Sequence, residues 1–238
     1  MLFTYATARS LVSASVITQG LSINIPIIAY NGAFILEPSS GKVLSSSIFN
    51  ETEKQYIISV LKENNIYPLV YAYVDEIEKV SWIQNKENDG IKRYLGLRQG
   101  DKRLNPLLNI EQLYKGNVFY FTCIGEKEEL LPIYNVLKQN EHYNCILQQE
   151  LYRKEYWCEI MPREATKANA IVRLKSLWRC EKVVSFGDAL NDIPMFNISD
   201  ESYAVENAIM ELKNIATAII ESNNDDGVAK WLERNCLL

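Results

Sequence analysis

Histidine is nearly absent: His142 is the only one in 238 residues. That excludes an H-E-x-x-H metal site and leaves a Ser-His-Asp or Cys-His mechanism poorly supported. The five cysteines, Cys123, Cys145, Cys158, Cys180 and Cys236, are scattered, odd in number and free of any C-x-x-C spacing, so neither a disulfide framework nor a zinc module is indicated. They read as reduced thiols, which points to the cytoplasm. Basic charge is not in excess. Against 25 Lys+Arg stand 30 Asp+Glu, and the net charge of −5 argues against nucleic acid or an anionic membrane as a partner. No apolar run approaches the length of a membrane span. Charge is scarcest at the start, where Arg9 and Glu37 are alone in the first 41 residues. A secretory signal has a basic start and an unbroken apolar stretch, whereas here Arg9 lies inside the segment and Ser13, Ser15, Thr18 and Gln19 interrupt it. A buried stretch of an α/β core accounts for the low charge. Any catalysis must therefore run on carboxylates, lysine or metal.

The chain is 47% hydrophobic and 23% charged, which excludes disorder and suits one large domain or two small ones. Residues 2–6 read as a buried strand, 9–19 as a helix and 25–29 as a second strand running into Tyr30-Asn31-Gly32-Ala33. Strand, helix, strand is the pattern of a parallel sheet. From about residue 44 the texture changes to aromatic, alternating segments (67–74, 80–84 and 118–124) between polar helices over 51–64 and 126–139. Residues 145–160 read as paired strands turning near Arg153 and Lys154. After Met161-Pro162 the first texture returns. Thr166 caps a helix with apolar residues at helical spacing (Ala170, Ile171, Leu174, Leu177 and Trp178), followed by a strand over 182–186 and a last helix over 227–235. The expected plan is an α/β core from 1–43 and 160–238, split by an inserted α+β unit over 44–159.

The clearest chemical signal is Gly187-Asp188-Ala189-Leu190-Asn191-Asp192, just past the C-terminal end of a buried strand, where open parallel sheets bind ligands. Asp188 and Asp192 with an amide between them suit a hard cation such as magnesium. Equally, Asp188 can shape a turn and Asp192 can cap the short helix begun by Ile193-Pro194. Lys167 stands in the first turn of its helix, where the macrodipole disfavours a cation unless an anion lies nearby. An exposed lysine that tolerates the penalty is the plainer reading. Thr7 can offer its hydroxyl to a phosphoryl oxygen or help cap the next helix. Asn31-Gly32 is a turn by default, since both residues accept left-handed backbone. The tyrosines of the middle region (Tyr67, Tyr71, Tyr73, Tyr120, Tyr134, Tyr143, Tyr152 and Tyr156) read mostly as core and edge packing, with a few available to a substrate pocket.

Taken in order, Ala6-Thr7-Ala8-Arg9-Ser10, Pro26 to Ala33, Thr166-Lys167-Ala168-Asn169-Ala170, Phe186-Gly187-Asp188 with Asn191-Asp192 and Met195, Ala204 to Ala208, and Ser222 to Ala229 resemble the haloacid dehalogenase superfamily of phosphohydrolases. The resemblance is to the Cof-like branch, which carries a large cap inserted into a Rossmann-like core. In that family a magnesium-bound aspartate attacks the phosphorus of a phosphate ester, and water then hydrolyses the aspartyl-phosphate. The resemblance implies that Thr7 hydrogen-bonds the phosphoryl group and that Lys167 balances its charge. It further implies that Asp188 binds magnesium, that Asp192 is a direct or water-mediated second ligand and that Asn191 holds the phosphoryl group. Arg9, Asn31 and Gly32 would lie at the pocket edge. The implied substrate is a small phosphorylated metabolite, sugar phosphates among the candidates.

Two departures accompany the match. Ala8 stands where the family usually has glycine. More important, the family's first strand ends in D-x-D-x-T, the source of the nucleophile and of the general acid/base, and no such motif occurs in these 238 residues. The leading expectation is a phosphatase sequence whose start was misplaced or truncated, nearly inactive as given. A non-catalytic phosphometabolite-binding or regulatory protein is the alternative, and a separate chain supplying the strand is a third. In the resembled fold that strand is central, between the segment ending near Ala6 and the one ending near Phe186. Unless those two pair directly, reduced stability or self-association through the exposed core is expected.

Overall fold

Low charge over the first 41 residues translates into a chain that buries its second apolar segment and not its first. The computed structural model describes residues 1–21, 25–150 and 153–236. They fall into two units, Met1–Ser46 with Glu164–Leu238, and Ser47–Arg163. In the first unit, residues 2–6 do not form the expected buried strand: only Ala6 is bridged, parallel to Ile28, and Leu2 and Phe3 are exposed. A strand buried on both faces needs a ladder along both edges. These residues have one only toward β1 (Ile27–Ala29), through Ile28 N–H to Tyr5 O and Thr7 N–H to Ile28 O. The helix expected over 9–19 contracts to α1 (Leu11–Ser15), capped by Ser10. Hydroxyls at and just past its end bond back onto its carbonyls, Ser15 Oγ onto Val12 O and Thr18 Oγ1 onto Ala14 O, and compete with helix propagation. β1 then turns through Asn31-Gly32 into β2 (Phe34–Leu36) and β3 (Val43–Ser46), an antiparallel meander outside the expected plan. The turn residues explain it, since Tyr30, Asn31 and Gly32 all take positive φ.

The second unit opens with α2 (Glu51–Glu63), begun by a reciprocal capping box between Asn50 and Glu53. It continues through β4 (Leu69–Val74), β5 (Ile77–Ile83), α3 (Asp89–Gly96), β6 (Leu104–Leu107), β7 (Asn117–Gly125), α4 (Lys127–Leu137), β8 (Tyr143–Gln149) and β9 (Tyr156–Pro162). The sheet order is β6-β5-β4-β7-β9-β8, antiparallel except for β5 with β6. One face packs Val70, Phe121, Cys123, Cys158 and Ile160 against Ile57 and Leu61 of α2 and Ile133 and Leu137 of α4. The other face carries Tyr71, whose hydroxyl meets that of Tyr94 on α3 at 2.6 Å. Most of the tyrosine expectation thus concerns packing, with Tyr71, Tyr120 and Tyr143 buried; Tyr152 lies outside the described residues.

Beside Tyr120 on the same face is Glu159, whose carboxyl burial pushes above its ordinary value of 4.5, opposed by the Tyr120 hydroxyl. A carboxyl raised in this way holds its proton more tightly folded than unfolded. Its contribution to stability is therefore complete below about 4.5 and is lost as pH rises through the folded value. Glu159→Gln, which keeps an acceptor for Tyr120, is expected to raise the melting temperature of this unit at pH 8 and to leave it near the parent at pH 4. Melts that shift equally at both pH values would refute the assignment.

The chain then re-enters the first unit through α5 (Lys167–Trp178), β10 (Val184–Gly187), α6 (Ile193–Ile198), β11 (Glu201–Val205), α7 (Met210–Lys213), β12 (Ala218–Ile220) and α8 (Gly227–Cys236). β10, β11 and β12 form a parallel sheet in that order, joined by α6 and α7, the βαβ crossover expected of a Rossmann-like core. Ala170 and Leu174 of α5 pack on Ile28 and Ile35, and Met195, Phe196, Val205 and Leu212 close a second cluster. Among the described residues, β10 and residues 2–6 do not pair with each other. No helix among the described residues is long and apolar enough to cross a membrane.

Candidate active site

Four segments of the first unit bring the sequence-derived residues together. Thr7 follows the Ala6–Ile28 bridge, and its carbonyl accepts from Asn31 N–H at 2.9 Å while Arg9 O accepts from Tyr30 N–H at 3.1 Å. Thr7 Oγ1 accepts from Arg9 N–H at 3.1 Å, so the hydroxyl proton remains available to a ligand. Asn31 sits in the left-handed region, φ 53° and ψ 25°, which turns its side chain toward Asn191: Asn191 Nδ2 donates to Asn31 Oδ1 at 3.0 Å. Gly32 stands against the first turn of α5, and Arg173 Nη2 donates to its carbonyl at 2.7 Å.

Thr166 caps α5 through its Oγ1 and Asn169 N–H, as the sequence implied. Lys167 is not the exposed lysine of the plainer reading. It is 7% exposed, and its ammonium donates to Asp192 Oδ1 at 2.6 Å. Asp192, 3% exposed, does not cap α6 with its side chain; Oδ2 accepts from Asp188 N–H at 3.0 Å and Ala189 N–H at 3.2 Å instead. The reason is local. Leu190–Asp192 makes a tight 3-10 turn that folds the carboxylate back over the end of β10. Three donors on one carboxylate satisfy a buried charge and reverse the sign of the macrodipole penalty on Lys167. Asp188 itself is exposed, and the loop after β11 holds its carbonyl through Ile209 N–H at 3.0 Å.

Seven of the eight candidates, Thr7, Asn31, Gly32, Lys167, Asp188, Asn191 and Asp192, are thus gathered by direct contacts or by adjacency in one loop. Arg9 is exposed, and it joins them through its backbone. One position escaped the sequence reading: Arg173 tethers the Gly32 turn from 141 residues away, with no local signal. Gly187, quoted only as part of its motif, leaves room for Asp192, because a Cβ there would lie 2.7 Å from Asp192 Oδ2.

A divalent cation is compatible with this donor set in one form. Asp192 has both oxygens engaged, and the described residues contain no group of three His, Cys, Asp or Glu placed to hold a metal ion. Magnesium suits such a site because it retains water and takes one or two carboxylates together with substrate phosphate. Asp188 is the accessible oxygen donor.

A family model described as haloacid dehalogenase-like hydrolase matches residues 1–232. The chain is 25% identical to the 5-amino-6-(5-phospho-D-ribitylamino)uracil phosphatase YwtE of Bacillus subtilis (strain 168), over 98% of this chain and 86% of that protein. It is 22% identical to the pyridoxal phosphate phosphatase YbhA of Escherichia coli (strain K12), over 95% and 83%. A crystal structure from Thermotoga maritima superposes with a TM-score of 0.78 at 27% identity, covering 100% of this chain and 86% of that one. A haloacid dehalogenase-like hydrolase from Bacteroides thetaiotaomicron shares the fold with a TM-score of 0.75 at 19% identity, covering 97% and 85%. With its parallel-sheet core, its inserted α+β cap and a family match over nearly its whole length, the chain belongs to the haloacid dehalogenase-like hydrolases, in the Cof-like branch.

Proposed function

We propose that the cluster around Lys167 is the phosphate-ester site of a magnesium-dependent phosphatase of small phosphorylated metabolites, and that residues 1–238 alone bind such esters without appreciable turnover. The observation that carries this reading is the Lys167 ammonium. It is buried in the first turn of α5 and fixed by Asp192, next in sequence to Asn191, whose amide bonds Asn31, the residue that in turn donates its N–H to the Thr7 carbonyl. The names of the relatives support the substrate class, since both curated proteins act on phosphate monoesters of small molecules.

Each residue has a role within this reading. Thr7 donates its hydroxyl proton to a phosphoryl oxygen, and Lys167 offsets the charge that accumulates there. Asn191 positions the group from the β10 side, with Asn31 holding the amide, and Gly32 and Arg9 form the rim. Asp188 provides the metal-binding oxygen, with Asp192 behind it as the residue that aims both Lys167 and the Asp188 loop. Bound magnesium would polarise the phosphoryl oxygens. The covalent step needs a carboxylate nucleophile, and the D-x-D-x-T that supplies one in this family does not occur in residues 1–238.

Titration calorimetry of residues 1–238 with glucose 6-phosphate and with pyridoxal 5′-phosphate tests the proposal. Saturable binding that strengthens with magnesium is expected, with inorganic phosphate released at the background rate. Asp188→Asn changes an exposed side chain, so the fold should be retained. The variant should lose the magnesium enhancement, an effect of about tenfold or more. A folded protein that gives no heat with either ester would overturn the site, and rapid magnesium-dependent phosphate release would overturn the inactivity.

A further inference from the structure

The two ends of the sheet in the second unit are built differently. β6, at one end, is four residues long and carries Pro106 inside it, which interrupts its row of backbone donors. β8, at the other, has seven residues and is the longest sheet-end strand among the described residues. Its sequence, Tyr143-Asn144-Cys145-Ile146-Leu147-Gln148-Gln149, contains no charge and no proline, and its register against β9 is unbroken from Tyr143–Pro162 to Gln149–Tyr156. It therefore lacks the charges, prolines and bulges by which sheet edges are blunted. Ile146, Gln148 and Gln149 are exposed along it.

The direction of its backbone groups follows from its two ends. Arg163 N–H donates to His142 O and Glu150 N–H to Glu155 O, both at 3.0 Å, so the even-numbered residues of β8 turn their N–H and C=O toward β9. The odd-numbered residues turn theirs outward. Pro162, which has no N–H and stands opposite Tyr143, agrees with this alternation. Tyr143 N–H is taken by Asn140 O at 3.3 Å, and among the described residues β8 pairs with no strand but β9. The outward N–H and C=O groups of Cys145 and Leu147, with Gln149 N–H, are thus in place for a further strand.

We infer that this edge binds a second copy of the chain, β8 against β8, antiparallel about a two-fold axis that passes between the paired Ile146 residues, normal to the sheet. The strand is complementary to itself in that register. Ile146 meets Ile146, Cys145 meets Leu147, Asn144 meets Gln148, Tyr143 meets Gln149 and His142 meets Glu150, so apolar falls on apolar, amide on amide and imidazole on carboxylate. Cys145 and Leu147 exchange both backbone bonds with Leu147 and Cys145 of the second copy, and Gln149 N–H reaches the Tyr143 carbonyl. Moving the axis by one residue either way sets Ile146 opposite Asn144 or Gln148 and breaks the match. A strand without charge also meets no repulsion from its own copy. The contact is isologous and joins the two six-stranded sheets into one, and because β6 is blunted the pairing stops at the dimer. None of this rests on the phosphate-ester reading.

Sedimentation velocity of residues 1–238 is the test. A concentration-dependent dimer of the 27.4 kDa chain is expected in the micromolar range, with amide exchange at Cys145 and Leu147 slowing as the dimer forms. Ile146→Lys sets like charges opposite each other across the axis and should weaken the dimer at least about tenfold. Its fold should be retained, because Ile146 faces Glu159 on β9. Ile146→Glu should be weakened likewise. An equimolar mixture of the two variants should dimerise to within about threefold of the parent, since the axis sets this position opposite itself. A chain that stays monomeric throughout the micromolar range would overturn the inference. So would a dimer that withstands Ile146→Lys, because its contact would lie elsewhere, the first unit included. A mixture of folded variants that fails to recover would overturn the two-fold register. Should a variant fail to fold, the parent decides: exchange at Cys145 and Leu147 that does not change with concentration overturns the pairing.

Discussion

Asp192→Ala is expected to destabilise the first unit by about 3–5 kcal/mol, the range for breaking a buried ion pair from one side. The loss has three sources. The Lys167 ammonium, its side chain 8% exposed, would be left without its counter-charge. It would face the positive end of the α5 dipole alone. The amides of Asp188 and Ala189 would lose their acceptor. Lys167→Met should cost less, about 1–3 kcal/mol, because Asp192 would keep two of its three donors. Asp192→Asn, which preserves an acceptor for the amides, should fall between Asp192→Ala and the parent. The Lys167→Met/Asp192→Leu double variant should recover part of the loss, since no buried charge remains. Scanning calorimetry reads these differences, provided the transition of the first unit is separated from that of the second. For a unit of this size Asp192→Ala corresponds to a drop on the order of 10 °C. If Lys167→Met were the more damaging change, Asp192 would not be the anchor of the pair.

That pair also marks the limit of what was legible in the sequence. The Thr166 cap could be read because its acceptor and donor lie three residues apart, and local spacing decides the bond. The burial of Lys167 could not. Its partner is 25 residues away, and a lysine in a first helical turn reads as exposed on every local argument. Asp192 misled in the same way. Its position before Ile193-Pro194 matches a helix cap, yet the tight turn over Leu190–Asp192 bends the carboxylate back to Asp188 and Ala189. Residues 2–6 failed for a different reason. An apolar run is sufficient for a strand only where neighbouring ladders exist, and here one edge has a partner and the other borders a cavity. In the second unit local signals served well: α2, α4 and the strands β4, β5, β7, β8 and β9 fall within a few residues of expectation, because alternation and capping are both short-range. The short helix α3 and the edge strand β6, with Pro106 inside it, carry too little periodicity to be read.

Gly32→Ala is expected to be nearly as damaging as Asp192→Ala, although it adds only a methyl group. At φ +101° alanine is strained whatever its surroundings, at a cost of about 1–3 kcal/mol. The surroundings make it worse. The new Cβ would lie 2.0 Å from Thr166 O, 2.3 Å from Thr166 C and 2.9 Å from Lys167 N, all backbone atoms that cannot rotate aside. Relief requires the start of α5 to move. That would loosen the Thr166 cap, worth about 1 kcal/mol, and the Arg173 bond to the Gly32 carbonyl, and it would shift Lys167 off Asp192. A total on the order of 3 kcal/mol follows, with a fall in melting temperature on the order of 10 °C. Gly20→Ala in the same unit separates the two causes. Gly20 has φ +91° and nothing within 4 Å of its Cβ position, so only the strain is incurred there. The difference between the two variants measures how firmly Gly32 seats α5. Equal melting temperatures would mean that the approach of Gly32 to Thr166 does not hold Lys167 in place. A much lower value for Gly32→Ala, with weaker binding of inorganic phosphate, would make this glycine the residue on which the position of the site's one buried cation depends.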